Sequence, residues 1–333
     1  MKKTDKIYVA GHSGLVGCAI VRLLQSKGYS NIIIRTHKEL DLVDQKAVYT
    51  FFENEKPEYV FFAAGKVGGI SAHINYPSDF IYQNAMMGFN IIQAAYLFKV
   101  KKLINLSAGA VYPRLAEQPI KEEAILTGPL EPTNEAYAIA KLSVIKLCSS
   151  YNKQYGTNFI SVLPCNIYGP GDKYDIENSS VLPAMISKFH EAKITGRNKV
   201  TLMGDGSPCR EFLYSEDLAS MLIFLMENKN AVDMRNTAGD FISIGSGKDV
   251  TIKELAETIR TVVYEKEFQA SGNFSPDEIC RIVWDTSKPN GMPRRLLDTS
   301  RLSALGCKAS TELYEGIKKA YADFLEKQEA KVL

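Results

Sequence analysis

The sequence predicts an α/β protein: a doubly wound parallel sheet followed by a smaller C-terminal α/β unit. Three observations carry this. Short β-branched runs alternate with amphipathic stretches from residue 7 to residue 169, the connections between them are short, and the alternation breaks after Tyr168. Strand–helix–strand alternation with so little intervening chain implies strands that pair in parallel and helices that cover both faces.

Taken in order, IYVAG (7–11) reads as a buried strand and AIVRLLQSKG (19–28) as a helix closed by Gly28. NIIIRT (31–36) is a second strand, and residues 44–54 a second helix that stops before Pro57. YVFFAAG (59–65) is a third strand, 79–98 a long helix and KLINLSAG (102–109) a fourth strand. Another long helix follows at 135–155, then FISVLPCNIYG (159–169) as a strand. Residues 169–182 are rich in Gly, Asp and Asn and long enough to be a functional loop. Beyond it we expect a helix at 183–193, then VTLMGDG (200–206) and the run REFLYSEDLASMLIFLMEN (210–228). A late strand at 241–245 precedes a helix at 251–263 capped by Thr251. Residues 264–295 read as irregular, and an amphipathic helix at 311–328 finishes the chain. The pattern divides into one unit of residues 1–168 plus about 212–246, and a second of about 169–211 and 247–333.

Composition narrows the class. Lys plus Arg is 40 and Asp plus Glu 38, a balance without the concentrated basic face of a nucleic-acid binder. No window reaches the ~18 uninterrupted apolar residues of a membrane span. The N-terminus passes from charge straight into a short strand, so the expectation is a soluble, cytoplasmic protein. Six cysteines are scattered without a CxxC pair, and there are just four histidines, so we expect no metal site and read the cysteines as buried small hydrophobes.

Between the first strand and the first helix lies Gly11-His12-Ser13-Gly14-Leu15-Val16-Gly17, a GxxGxxG turn. Glycines there permit a tight turn and close approach of backbone N–H groups to a pyrophosphate at a helix N-terminus. The strand–turn–helix context marks a Rossmann-type, dinucleotide-binding unit, whereas a glycine-rich turn alone would be an ordinary βα connection. The second strand ends in Arg35-Thr36-His37-Lys38, where an NAD binder usually carries an acid for the ribose 2′-OH. A guanidinium can hold a 2′-phosphate, so NADPH is the expected cofactor; a solvated basic loop is the bland alternative. Asp41 and Leu42 lie where a loop could cover the adenine.

Tyr137-Ala138-Ile139-Ala140-Lys141 puts a tyrosine and a lysine on one face of a helix. A nearby cation favours the phenolate, lowers the tyrosine pKa and suits proton transfer to a developing alkoxide. The isolated pair is common by chance; its weight comes from following a dinucleotide-binding unit.

With these residues in view, the chain resembles the extended short-chain dehydrogenase/reductase family, and within it the GDP-L-fucose synthases, from residue 6 to about 325. The resemblance rests on AAGKVGGI (63–70), YPSDFIYQN (76–84), LTGPLEPTNEAYAIAK (126–141), YGPGDKYDIENS (168–179), REFLYSEDLA (210–219) and TSKPNGMPRRLLD (286–298). It implies an NADP-dependent oxidoreductase acting on a GDP-linked 4-keto-6-deoxy sugar. In that family C3/C5 epimerisation precedes reduction at C4. Tyr137 would give a proton to the C4 oxygen, and Lys141 would orient the nicotinamide ribose. Ala63, Ala64, Pro164, Asn166 and Ile167 would complete the cofactor contacts. A homodimer through the long helices at 79–98 and 135–155 is also implied.

The departures from the family pattern are informative. Ala108-Gly109-Ala110-Val111-Tyr112-Pro113 stands where the family has Ser-Ser-Cys-x-Tyr-Pro, so Ala110 replaces the cysteine assigned as epimerisation base. Asn178-Ser179-Ser180-Val181 stands where it has Asn-Ser-His-Val, so Ser180 replaces the assigned acid. A methyl group accepts no proton and a serine hydroxyl is a poor acid near neutral pH. Ala108 replaces the serine that donates to the reacting carbonyl, a loss that typically slows chemistry about 10²–10³-fold. Ser107 reaches in, or Tyr137 works alone, or the alanine is an engineered inactivating change; alternation along a strand argues against Ser107 unless the strand has ended. On the substrate side, Arg210 matches a phosphate-binding arginine, Lys188 stands for another, Met203 for a tryptophan and Asn290 for an aspartate.

The expectation is therefore a C4 reductase without epimerase activity. It resembles the stand-alone reductases that complete 6-deoxy-heptoses for capsules or lipopolysaccharides, with a manno-heptose substrate preferred. The alternatives are a bifunctional GDP-L-fucose synthase with displaced epimerase groups, and a catalytically silent NADPH- or nucleotide-sugar-binding protein.

Overall fold

The computed structural model describes residues 1–176, 179–271, 275–288 and 290–332. The chain begins β1 (Ile7–Ala10), α1 (Leu15–Ser26), β2 (Ile32–Ile33), α2 (Gln45–Glu55), β3 (Tyr59–Phe62), α3 (Ile70–Asn75) and α4 (Pro77–Leu97). It continues β4 (Lys102–Leu106), α5 (Glu135–Tyr155), β5 (Phe159–Pro164), β6 (Asn166–Tyr168), α6 (Val181–Ile194), β7 (Lys199–Met203) and β8 (Cys209–Tyr214). Then come α7 (Ser215–Asn228), β9 (Phe241–Ile244), β10 (Asp249–Thr251), α8 (Ile252–Val263), α9 (Glu265–Ser271) and α10 (Pro276–Ile279). The last elements are β11 (Arg281–Asp285), β12 (Arg294–Arg295), α11 (Ser300–Ala304) and α12 (Leu313–Val332).

The main sheet has six strands in the order β2-β1-β3-β4-β5-β9, every pair parallel. Alternate residues sort onto its two faces, as the two-residue period of a strand requires. Ile7, Val9, Phe61, Ile104 and Ile160 pack with α1 and α7 residues on one side, where Ile20, Leu24, Leu218 and Leu222 complete the core. Tyr8, Val60, Phe62, Leu103 and Phe159 pack on the other with Phe52 of α2, Ile91 of α4 and Val144 of α5. Gly88 lets α4 and α5 approach closely: a Cβ there would lie 2.2 Å from Val144 Cγ2.

After Pro164 the chain leaves this sheet. β6 pairs in parallel with the second half of β8, whose first half pairs antiparallel with β10 and parallel with β12. β7 and β11 form a separate parallel ribbon. A second core joins these strands to α6, α8 and α12 through Phe189, Leu255, Ile259 and Phe324. Thr251 caps α8 in a reciprocal box with Glu254, as its sequence predicts.

Several elements differ from the sequence reading. The strand expected over 159–169 is two strands, broken at Cys165, because β6 changes partners from the main sheet to β8. The strand expected over 31–36 pairs only at Ile32–Ile33, at the sheet edge. Residues 264–295, read as irregular, contain α9, α10, β11 and β12. β11 carries no alternating burial, and it is a strand because β7, eighty residues earlier (~80 by numbering), supplies its hydrogen-bond partners. Of the six cysteines, Cys148, Cys165, Cys280 and Cys307 are buried, whereas Cys18 and Cys209 are half-exposed. Among the described residues no helix is long and apolar enough to cross a membrane.

Candidate active site

The strand order reverses direction between β1 and β3, which opens a crevice at the carboxyl ends of the strands. The GxxGxxG turn fills it. Gly11 has φ +85°, and a Cβ there would meet the Ala64 backbone at 2.6 Å. A Cβ on Gly17 would lie 2.0 Å from the Gly11 carbonyl oxygen. Sterics therefore demand glycine at both positions, whereas Gly14 has only the Gly11 carbonyl oxygen near it, at 3.4 Å. Gly14 is the N-cap of α1, with no side-chain cap and no acid in the first turn. Leu15 and Val16 pack their side chains into the core, His12 buries an Nδ1 without a partner, and Ser13 is exposed. The uncapped N–H groups at the positive end of a helix dipole fit a dinucleotide pyrophosphate.

At the end of the second strand, the Arg35 guanidinium pairs with Glu55 at 2.5 Å, donates to the Ile34 carbonyl at 2.8 Å and lies over the Phe51 ring. It is thus already held by a carboxylate, not a solvated cation. His37 sits 3.7 Å from Asp41, whose Oδ1 accepts from the Val43 N–H. Leu42 is buried in the core, and its carbonyl accepts from Asn90.

Tyr137 and Lys141 lie one turn apart on the buried side of α5. The Lys141 ammonium donates to the Leu106 carbonyl at 3.0 Å and stands 5.9 Å from the Tyr137 ring centroid. Burial lowers the Lys141 pKa to about 8 and pushes the Tyr137 phenol well above its ordinary value. A charge that opposes that rise is that of Arg295. The lysine's charge is spent on the Leu106 carbonyl. Tyr137 also packs against His73 and Phe80, with ring centroids 5.2 and 6.3 Å away.

β4 ends at Leu106, one residue before Ser107, so strand alternation places no restriction on the serine. Its N–H donates to the Val162 carbonyl at 2.8 Å, while its buried Oγ has no partner. Ala108 is extended, with φ −158°, and Ala110 is buried in the following 3-10 turn. Both alanines join Phe80, Ala138 and Tyr137 in one small apolar cluster.

Beyond this cluster a cavity of about 310 Å³ is lined by Asn166, Ile167, Ser180, Lys188, Met203, Arg210 and Asn290. Seven positions singled out from the sequence thus line one cavity. Ser180 is the N-cap of α6; its carbonyl accepts from the Ala184 N–H at 3.2 Å, but its side chain makes no cap hydrogen bond. Asn178 lies outside the described residues. Lys188 donates to the Thr201 carbonyl at 3.4 Å, and burial lowers its pKa. Arg210 donates to the Cys209 carbonyl at 2.8 Å, with its pKa lowered to about 10 by burial and by Arg295. Asn290 accepts from the Asp205 N–H at 3.0 Å, so it also shapes the turn at Gly204. Ala63 and Ala64 follow β3 beside the glycine turn, and Pro164 ends β5 beside the 3-10 turn.

Comparison with known proteins is decisive for the family. Residues 7–241 match the model of the NAD dependent epimerase/dehydratase family. GDP-L-fucose synthase 1 of Arabidopsis thaliana is 46% identical over 324 residues, covering 97% of this chain and 94% of that protein. GDP-L-fucose synthase of Escherichia coli K12 is also 46% identical, covering 98% of both chains. Among solved structures, GDP-mannoheptose C4 reductase from Campylobacter jejuni with NADP bound superposes with a TM-score of 0.85 at 38% identity, over 98% of this chain and 99% of that one.

The chain belongs to the NAD dependent epimerase/dehydratase family, in its GDP-L-fucose synthase branch. It is an NAD(P)-dependent oxidoreductase.

This family member also gathers residues that sequence reasoning passed over. His73, Glu131 and Arg295 line the same cavity. His73 belongs to α3, which the sequence reading left without an element, and its Nδ1 is buried without a partner. Arg295 stands inside the PRRLLD run, where two adjacent arginines gave no local sign that one turns inward. Asn84 of α4 holds the intervening loop, accepting from the Lys66 N–H at 3.0 Å and donating to the Lys66 and Phe80 carbonyls.

The buried ammonium of Lys141 carries a stability cost with a definite pH window. Its pKa falls from 10.5 unfolded to about 8 folded, so between those values the unfolded chain holds more protons and stability rises with pH. Lys141→Met is expected to raise the unfolding free energy at pH 7 by up to about 3 kcal/mol, and by less near pH 10. Urea melts at the two pH values check this; equal gains at both would contradict it.

Proposed function

We propose that the protein reduces the C4 carbonyl of a GDP-linked 4-keto-6-deoxy sugar with NADPH, without C3/C5 epimerase activity, and that its substrate belongs to the manno-heptose series. The observation that carries this is the pair Ala110 and Ser180: one packs its methyl against the Tyr137 cluster, the other lines the substrate cavity, and neither exchanges a proton near neutral pH. The NADP-bound GDP-mannoheptose C4 reductase among the structural relatives supports the cofactor and the sugar series.

NADPH, when bound, supplies the hydride. The chain's own residues do the rest. The glycine turn and the N-terminus of α1 would hold the pyrophosphate, and Arg35 would supply the charge for the 2′-phosphate. Lys141 would hydrogen-bond the nicotinamide ribose, and Tyr137 would deliver the proton to the C4 oxygen. Arg210 and Lys188 take the GDP phosphates, with Met203 and Asn290 shaping the sugar end. The buried cluster around Tyr137 excludes water from the phenol, which keeps it protonated until the alkoxide forms.

A second reading is a bifunctional GDP-L-fucose synthase, 3,5-epimerase and 4-reductase together. The names of the sequence relatives favour it more strongly than they favour the reductase alone, and His73, with its buried ring nitrogen beside Tyr137, is the group available for displaced acid/base work. Turnover in D₂O separates the two. The reductase reading expects product without deuterium at C3 and C5 and a Tyr137→Phe variant slowed at least about 100-fold. Deuterium at either carbon would establish the bifunctional enzyme.

Arg35→Ala is expected to raise KM for NADPH about tenfold while leaving KM for NADH unchanged, since a lost charged hydrogen bond to the 2′-phosphate costs about 1.4 kcal/mol or more. Parallel shifts for both cofactors would remove Arg35 from the phosphate site.

The same reading makes the enzyme a cytoplasmic homodimer serving capsule or lipopolysaccharide assembly. Tyr82, Phe89 and Leu97 of α4 and Ile139 and Tyr155 of α5 are exposed apolar residues on the two helices that would form a four-helix contact. Sedimentation at twice the chain's mass is the expected result, and a monomer would count against it.

A further inference from the structure

Two neutral polar side chains, Asn134 and His73, line the cavity together with the cations Lys188 and Arg210. Asn134 is the N-cap of α5, a position that asparagine suits because its side chain normally accepts from a first-turn N–H. Here it forgoes the cap. Its carboxamide makes no hydrogen bond among the described residues, and its Oδ1 is buried without a partner. The backbone that carries it is braced. Glu131, itself buried, accepts from the Thr133 N–H and hydroxyl at 3.4 and 3.1 Å and pairs with Arg114 at 3.3 Å. The Asn134 N–H donates to the Glu131 carbonyl at 3.1 Å, which closes the turn Pro132–Asn134.

α3, which carries His73, packs against this turn. The His73 ring centroid lies 4.0 Å from that of Phe80 and 5.2 Å from that of Tyr137. Burial lowers its pKa against the opposing pull of the Gly68 carbonyl, so the imidazole is neutral at neutral pH. A neutral imidazole carries one N–H and one acceptor nitrogen. Both residues therefore flank Tyr137. Asn134 stands three positions before it, one helical turn away, and His73 packs on its ring.

A buried amide without a partner is costly, and a fold that keeps one holds it for a group that arrives later. That group is uncharged. An amide and a neutral imidazole offer donors and acceptors but no charge for a phosphate, a task that Lys188 and Arg210 fill. A sugar hydroxyl fits, since it both donates and accepts. On a 4-keto-6-deoxy sugar C5 carries the ring oxygen and the exocyclic chain. C3 is then the one neighbour of C4 that bears a hydroxyl.

We propose that Asn134 and His73 bind the C3 hydroxyl of the sugar, fix the adjacent C4 carbonyl against Tyr137, and select 3-hydroxy over 3-deoxy substrates. The proposal rests on the C4-reduction reading. The two residues determine specificity and transfer neither proton nor electron. A site built to hydrogen-bond a hydroxyl rejects the analogue that lacks it, because its own polar groups are then left buried and unpaired.

Two substrates and two variants test this, with the full chain and NADPH. GDP-4-keto-6-deoxy-mannose and its 3-deoxy counterpart differ in that hydroxyl alone, and the same pair is run in the heptose series. The unmodified enzyme is expected to favour the 3-hydroxy substrate in kcat/KM by about 100-fold. Asn134→Ala and His73→Phe are each expected to lower kcat/KM for that substrate about tenfold, and to change it less than about threefold for the 3-deoxy one. A purely structural role would move both substrates alike, so the ratio is the readout. NADPH binding and the melting temperature report folding, and either variant carries the test if the other does not fold.

Equal kcat/KM for the two substrates with the unmodified enzyme would overturn the proposal and leave C4 reduction standing. Parallel losses on both substrates would also overturn it, leaving Asn134 and His73 as supports of α5. Turnover of neither substrate in either series would defeat the C4-reduction reading and the proposal with it.

Discussion

The close approach of Gly11 to the backbone of Ala63 and Ala64 is the constraint on which the rest depends. β1 and β3 are neighbours, and the chain must turn out of β1 within the space that β3 leaves at its carboxyl end. Any side chain at Gly11 would strike that backbone, and any at Gly17 would strike the Gly11 carbonyl. The turn can therefore be tight, α1 can start against the sheet, and its free N–H groups face the crevice where the strand order reverses. The loop that leaves β3 then passes Lys141, whose ammonium would lie 3.3 Å from a Cβ at Gly65. One steric condition thus aligns the cofactor end of the site with α5, and α5 carries Tyr137.

Charge explains the other end. The chain is nearly neutral overall, with a formal charge of +2, yet Lys188, Arg210 and Arg295 line one cavity and Lys141 is buried on α5. Burial lowers the pKa of each of these four cations, so each charge is held at an electrostatic cost. An anion beside them would offset that cost. A dinucleotide at one end and a sugar nucleotide at the other are matched to this arrangement by sign as well as shape, and binding energy gained at the phosphates is available for orienting the reacting carbon.

Much of this was legible in the primary structure. The six-stranded sheet follows from runs such as IYVA and YVFF, buried on both faces and therefore apolar throughout. Tyr137 and Lys141 share a face because residues four apart on a helix do, and the glycine turn announces itself by spacing. The residues from Asn166 to Asn290 were assembled by resemblance, and the cavity brings them together. What was not legible lies where pairing is non-local. The break at Cys165 depends on β8, and β11 depends on β7. Arg35 reads as a free cation until Glu55, twenty residues on (~20 by numbering), closes on it.

The amino-acid sequence by itself determined the fold class, the cofactor turn and the absence of titratable side chains at 108, 110 and 180. Those are local facts: period, spacing and residue identity. Only the tertiary structure decided where the buried cations are directed. Lys141 is four residues from Tyr137 along the helix, but its ammonium is satisfied by the Leu106 carbonyl. Arg295 is far off in the chain from Lys188 and Asn166, yet the register of β12 on β8 sets it beside Arg210 in the cavity that all four line. The electrostatics of a buried site depend on distance and desolvation, and both come from packing between segments that no local pattern connects.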